Sequence, residues 1–226
     1  MPLALSGAGM PSTVVHLAFA GLLAAALLGP YYDRDAVLVV LAATAFPDLD
    51  SFIAPFFVVG HRTVLHTYVI PIAVALALLY DTRFREESFV RERWGGYGVA
   101  VGWVSLVAWG VSGIGLDFVG AGVNPLWPLH DQFYTLDGKV ELSDQRGVIQ
   151  TFVDLSPDEG GAPAPDGLGS SQEVNMSTGI DPDPSDTSED PNPERVFPVV
   201  RSGWQLLLLG AGTAVTAVRF RLPDGN

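Results

Sequence analysis

Three of the chain's four histidines, His16, His61 and His66, lie in or beside apolar segments. Asp48 and Asp50 follow the second apolar run in the stretch PDLD, and Asp117 closes the fourth in GIGLD. Imidazole nitrogens and carboxylate oxygens at one membrane face suit Zn²⁺, or else Mn²⁺ or Fe²⁺. Charged groups next to hydrocarbon are costly unless paired or liganded, and that cost marks them as functional candidates. His16, Asp48, Asp50, His61, His66 and Asp117 are therefore the candidate metal ligands. A divalent ion held by them would act as a Lewis acid, able to activate bound water. Arg62 could clamp an anionic substrate group or simply pair with Asp50. Asp50 is the carboxylate chosen to accept a proton from water. Each residue also has a purely structural reading. His16 could donate to a carbonyl at a helix start, Asp48 could cap a helix, and Asp50 could be a solvated turn residue.

These residues are far apart in sequence, so the elements around them must bring them together. The first apolar run spans 13–29, and a second, 36–46, continues through PDLD towards His61. Runs at 64–80 and 95–116 follow, and a short one at 204–218 ends the series. The fold expected is all-α: a polytopic membrane helix bundle of about five crossings. A signal peptide is the rival reading of the first run, but no basic residue precedes it. Arg83, Arg85, Arg91 and Arg93 in one loop, Arg34, and the terminal Arg219 and Arg221 place those loops in the cytoplasm. The N-terminus is then outside, the C-terminus is cytoplasmic, and every candidate ligand reaches the outer face. Arg62 and Arg201 lie against that trend.

Three parts follow along the chain: a membrane-embedded core over 10–130, an acidic external loop over 131–200, and a C-terminal transmembrane helix over 201–221. Short alternating runs around Asp137 and Gly138 predict a hairpin. The stretch DPDPSDTSEDPNPE cannot bury enough apolar surface to offset its ordering entropy, so the insert is expected to be mostly disordered. Its DxDxS pattern looks like the start of a calcium loop but lacks the central glycine and the terminal glutamate.

Composition narrows the choices. Apolar residues make up 48% of 226, and the mean hydropathy is +0.31. Cysteine is absent, so disulfides, thiolate nucleophiles and Cys-ligated metals are excluded. The formal charge is -13 and Lys139 is the single lysine, which disfavours nucleic acid as a partner. Acidic excess of this kind is tolerated in concentrated salt, so a halophilic source is expected.

His16, PDLD (47–50), HRTVLHT (61–67), Asp117 and NPLWPL (124–129) together resemble the YdjM-like membrane-bound, metal-dependent hydrolases. The resemblance covers roughly 10–130. It implies distant kinship with zinc-dependent phospholipase C and the S1/P1 nucleases, helical enzymes that cleave phosphoesters. It also implies zinc as cofactor, membrane lipids as partners, a phosphoester or lipid-headgroup substrate, and the six ligands above. Two departures stand out. Thr63 replaces the usual Gly of HRG, and Gly113 stands where the family usually has a His four residues before the late Asp. The second leaves open a catalytically inactive membrane scaffold. A transporter is weaker, because the polar residues cluster at one edge and not at mid-membrane.

Overall fold

The computed structural model describes residues 3–5, 11–53, 61–119, 122–136, 138–152, 167–180, 182 and 192–222. Within them, β1 (Leu3–Leu5) precedes α1 (Thr13–Leu27) and α2 (Arg34–Ala45). Asp33 starts α2 by accepting the Ala36 N–H at 2.7 Å, and Asp35 adds a favourable charge to the first turn. Pro47–Leu49 forms a 3-10 turn leading into α3 (Asp50–Ile53). Next come α4 (Val69–Arg83) and α5 (Phe89–Ala108). Asp81 locks their connection, accepting from Ser88 Oγ (2.7 Å) and from the first N–H groups of α5 at Phe89 (3.0 Å) and Val90 (3.1 Å). Gly95 breaks α5 with φ +63, a conformation that only glycine adopts without strain. A π-helical turn at Trp109–Ile114 and a 3-10 turn at Gly115–Phe118 then bring the chain to Asp117.

The described insert carries β2 (Phe133–Tyr134), β3 (Val140–Ser143), β4 (Gly147–Gln150), β5 (Gly167–Gly169) and β6 (Val174–Met176), followed by α6 (Gly203–Arg219). β1 pairs with β6 in parallel, and β2 with β5 and β3 with β4 antiparallel.

Helix α1 packs against α2, α5 and α6, and α4 leans on α5. The core is built from Ala20, Ala24, Ala36 and Ala108 with Val37, Val40, Val101 and Val104. Small residues let these backbones approach closely, as they do between helices in lipid. The outward faces are also apolar: Leu38, Val39, Ile72, Leu76, Leu206 and Leu207 are all at least half exposed. Such faces call for an apolar surround.

Three expectations change. Among the described residues one helical run, Phe89–Phe118, is long and apolar enough to cross a membrane; Thr13–Leu27 is a shorter apolar helix. The five-crossing bundle is therefore not what the helices support. At 15 residues, α1 and α4 reach only about 22 Å against a hydrocarbon core of about 30 Å. The hairpin falls one turn later than expected, between β3 and β4, where Gly147 takes φ +69; Asp137 itself lies outside the described residues. The insert is also less loose than expected over 167–180. Phe133, Val174 and Met176 form a small buried cluster, and Asp131 accepts from Ser171 N (3.0 Å) and Ser171 Oγ (2.8 Å). Most of the DxDxS stretch lies outside the described residues.

Candidate metal centre

The start of α1, the end of α2 with α3, the segment before α4 and the end of the α5 run meet at one end of the bundle. His16 sits in the first turns of α1, and its carbonyl accepts Ser112 Oγ from the π-helical turn at 2.7 Å. The 3-10 turn after α2 presents Asp48, whose Oδ2 accepts Thr13 Oγ1 at 2.5 Å. Arg62 adopts φ +69, unusual for a side chain of its size, so the chain reverses sharply between the two histidines. That turn lets His61 and His66, five residues apart, face one carboxylate.

The carboxylate is Asp50. Its Oδ1 accepts from His61 Nδ1, and its Oδ2 accepts from His66 Nδ1 at 2.9 Å and Arg62 N at 3.1 Å. Burial alone would raise the Asp50 carboxyl, but His66 and His61 outweigh burial and hold it below the ordinary carboxylate range. With Nδ1 donating to Asp50, a neutral His66 presents a lone pair at Nε2. That nitrogen faces Asp117 Oδ2 at 3.2 Å and Asp48 Oδ1 at 3.5 Å. His16 Nε2 lies 3.3 Å from Asp117 Oδ1. None of these approaches has hydrogen-bond alignment, and His16 Nε2, His66 Nε2 and Asp117 Oδ2 remain buried without a hydrogen-bond partner among the described residues.

A cation between these nitrogens and carboxylates, or a proton on the imidazole, would relieve the approach of lone pair to carboxylate. Ligand atoms about 2.0–2.2 Å from one ion stand about 3.0–3.5 Å from each other, which is the spacing found here. Charge gives the same answer. Asp48, Asp50 and Asp117 against Arg62 leave two negative charges with the histidines neutral, and a buried net charge of that size is costly. The residues therefore fit a divalent cation. Without a cation, a proton on His66 supplies positive charge there. Burial would lower its pKa, but Asp50, then Asp117 and Asp48, outweigh burial and raise it well above 6.5.

All six expected ligands and Arg62 thus come together, in two groups: His16, Asp48 and Asp117, and Asp50, His61 and His66. His66 joins them, one nitrogen to each. His130 does not take part; it is exposed and paired with Tyr134 at 2.8 Å. Three supporting residues were not expected from sequence: Thr13, Ser51 (3.0 Å from His61 Nδ1) and Asn124, which takes the Arg62 carbonyl on its backbone N–H at 3.3 Å. Thr13 alone left a signal, a hydroxyl one helical turn before His16.

The late aspartate follows a π turn and not a regular helix. An ideal Cβ on Gly113 would stand 2.8 Å from the Thr44 carbonyl. A His at 113 does not fit this backbone, so Gly113 is a packing position here and not a gap in the ligand shell.

Residues 10–165 match the YdjM inner membrane protein family. The chain belongs to that family. The match includes every candidate ligand and continues into the insert, stopping before α6. Membership makes this a membrane protein, in keeping with its apolar outer faces. The curated proteins and the solved structures yield no match to this YdjM-family chain.

Proposed function

We propose that this YdjM-family chain is a membrane-embedded, metal-dependent hydrolase whose site opens at the external end of the bundle. The observation that carries the reading is the convergence of His16, Asp48, His66 and Asp117 donor atoms without hydrogen-bond alignment. Those four would hold the ion, most naturally zinc given two imidazoles and two carboxylates. When bound, a divalent zinc ion would supply Lewis acidity, lowering the pKa of water and polarising an ester.

The chain's own residues have separable tasks. Asp50 fixes the tautomer and direction of His66 and holds His61, as a carboxylate behind a ligating histidine does. Both Asp50 oxygens are engaged and the residue is buried, which argues against the proton-accepting role expected for it. Asp48 keeps 23% side-chain exposure and lines an open cleft with His61 and Arg62. Thr13 holds the Asp48 oxygen that does not face His66. Arg62 donates from Nη2 to Asp117 Oδ1 at 2.8 Å, fixing the most buried carboxylate.

Arg34, Arg83, Arg91, Arg93 and Arg219 lie at helix ends away from the site, and this excess of arginine supports a cytoplasmic placement of that end.

The test is metal content by mass spectrometry of detergent-purified protein, together with hydrolysis of bis(p-nitrophenyl) phosphate. Wild type should retain about one ion or more, and His16→Ala and His66→Ala should lose it along with turnover. Negligible metal in all three, after zinc is offered, overturns the reading. The second reading is a scaffold held by the Asp50–His61–His66 network. The buried hydrogen bonds of Asp50 to both histidines and to Arg62 N favour it, and metal bound without turnover would support it.

A further inference from the structure

The β3–β4 hairpin has two unlike faces. In its antiparallel register Leu142 stands opposite Val148 and Val140 opposite Gln150, and cross-strand partners share a face. On that face Val140, Leu142 and Val148 are 66%, 85% and 72% exposed. The other face carries Lys139 and Glu141, which pair at 2.8 Å. A two-stranded ribbon is at best marginally stable in water, and among the described elements β3 and β4 pack chiefly on each other. The apolar face is therefore uncovered by the described chain.

The root of the ribbon shows what lies beside it. Leu136 N donates to the Phe118 carbonyl at 2.8 Å, and Phe118 ends the helical run long enough to cross a membrane. The loop between them is tied to the start of α4. Tyr68 N donates to the Pro125 carbonyl at 2.8 Å and Thr67 Oγ1 to the Trp127 carbonyl at 2.7 Å. Leu126 and Leu129 are exposed on either side of Trp127, a residue type that collects at headgroup level. The ribbon thus leaves the bundle at the membrane boundary. Its charge suits that place: Lys139 and Arg146 cancel Glu141 and Asp144, whereas the whole chain carries -13.

We infer that the β3–β4 hairpin lies on the lipid surface at the site's end of the bundle. Val140, Leu142 and Val148 enter the headgroup–acyl boundary, and the turn at 144–146 stays in water. Part of the insert is then a membrane-lying ribbon and not a solvated loop. A second copy of the chain is the poorer occupant. Three side chains on a ribbon of four-residue strands fall well short of the roughly 800 Å² per partner of a stable interface. The inference stands on the root and the two faces of the ribbon, whether or not the site holds a metal.

The test uses the full chain in phosphatidylcholine nanodiscs, with nitrobenzoxadiazole attached to single cysteines at Val140→Cys, Glu141→Cys, Leu142→Cys or Val148→Cys. The chain has no cysteine of its own, so each label is unique. Labels at 140, 142 and 148 should emit to the blue, be quenched by lipid spin-labelled near the headgroup, and be spared by aqueous iodide. The label at 141 should behave the opposite way, because it stands on the polar face. Adding Leu142→Asp to the Val148→Cys protein should shift its emission back to the aqueous position. Equal iodide quenching at 141 and 142 overturns the inference. So does a blue-shifted label at 142 that spin-labelled lipid leaves bright. If that shift fades as protein is diluted into more lipid, a second copy covers the face; if it persists, another part of the same chain does.

Discussion

His66 carries more of the site than any other side chain, because each of its nitrogens faces a carboxylate. Removing it should abolish tight metal binding, whereas Asp50→Asn should weaken affinity about 10–100-fold with stoichiometry retained. Titration against a competing chelator distinguishes the two. Protonation gives a second prediction. The raised His66 pKa contributes stability that is fully present below 6.5 and lost as pH rises through its folded value. The depressed Asp50 pKa contributes stability present above 3.8 and lost as pH falls through its folded value. Metal-free protein in chelator should therefore be most stable at mildly acidic pH and lose Tm above neutrality. Saturating zinc should reverse the alkaline trend, because the ion replaces the His66 proton. A Tm that rises with pH in chelator would count against a charged His66. The six candidate residues that meet at the site were legible in sequence because charge beside hydrocarbon is rare. The engagement of both Asp50 oxygens was not, since only contacts show which carboxylate is fully used.

At the scale of elements, α6 lies parallel to α1 with glycine at the closest approach. An ideal Cβ on Gly212 would stand 2.2 Å from the Ala18 carbonyl, and one on Gly21 would stand 2.4 Å from Thr216 Oγ1. Tyr32 OH closes the far end on the Thr216 carbonyl at 3.0 Å. Gly212→Leu must push α6 away from the helix that carries His16. It should cost about 1–3 kcal/mol and weaken metal binding without touching a ligand. Thermal unfolding and metal titration of the same variant check it. Gly113→His, the change that would restore the family's usual residue, should lower Tm and not add a metal ion, given the Thr44 carbonyl 2.8 Å away. The helices themselves were readable from apolar runs. Their true lengths were not, because Gly95 and the π turn at Trp109–Ile114 are backbone events that hydropathy does not register.

For the whole molecule, charge and orientation make the remaining prediction. The chain has no cysteine, so single cysteines report topology cleanly. A membrane-impermeant maleimide added outside should label Gln145→Cys and spare Glu87→Cys in intact cells; the reverse pattern would put the site in the cytoplasm. The sequence alone determined which residue types could bind a metal, that the outer surface is apolar, that thiol chemistry is absent, and that arginine marks one side. These follow from composition and order, which need no third dimension. Only the tertiary structure decided that six distant candidate residues meet, that His66 joins two groups, that Arg62 Nε and Nη1 find no partner among the described residues, and that 196–199 walls the cleft. The physical reason is that burial and pairing depend on which elements pack together. Here that packing turns on a reversed backbone at Arg62, a π turn before Asp117, and glycines where α6 meets α1.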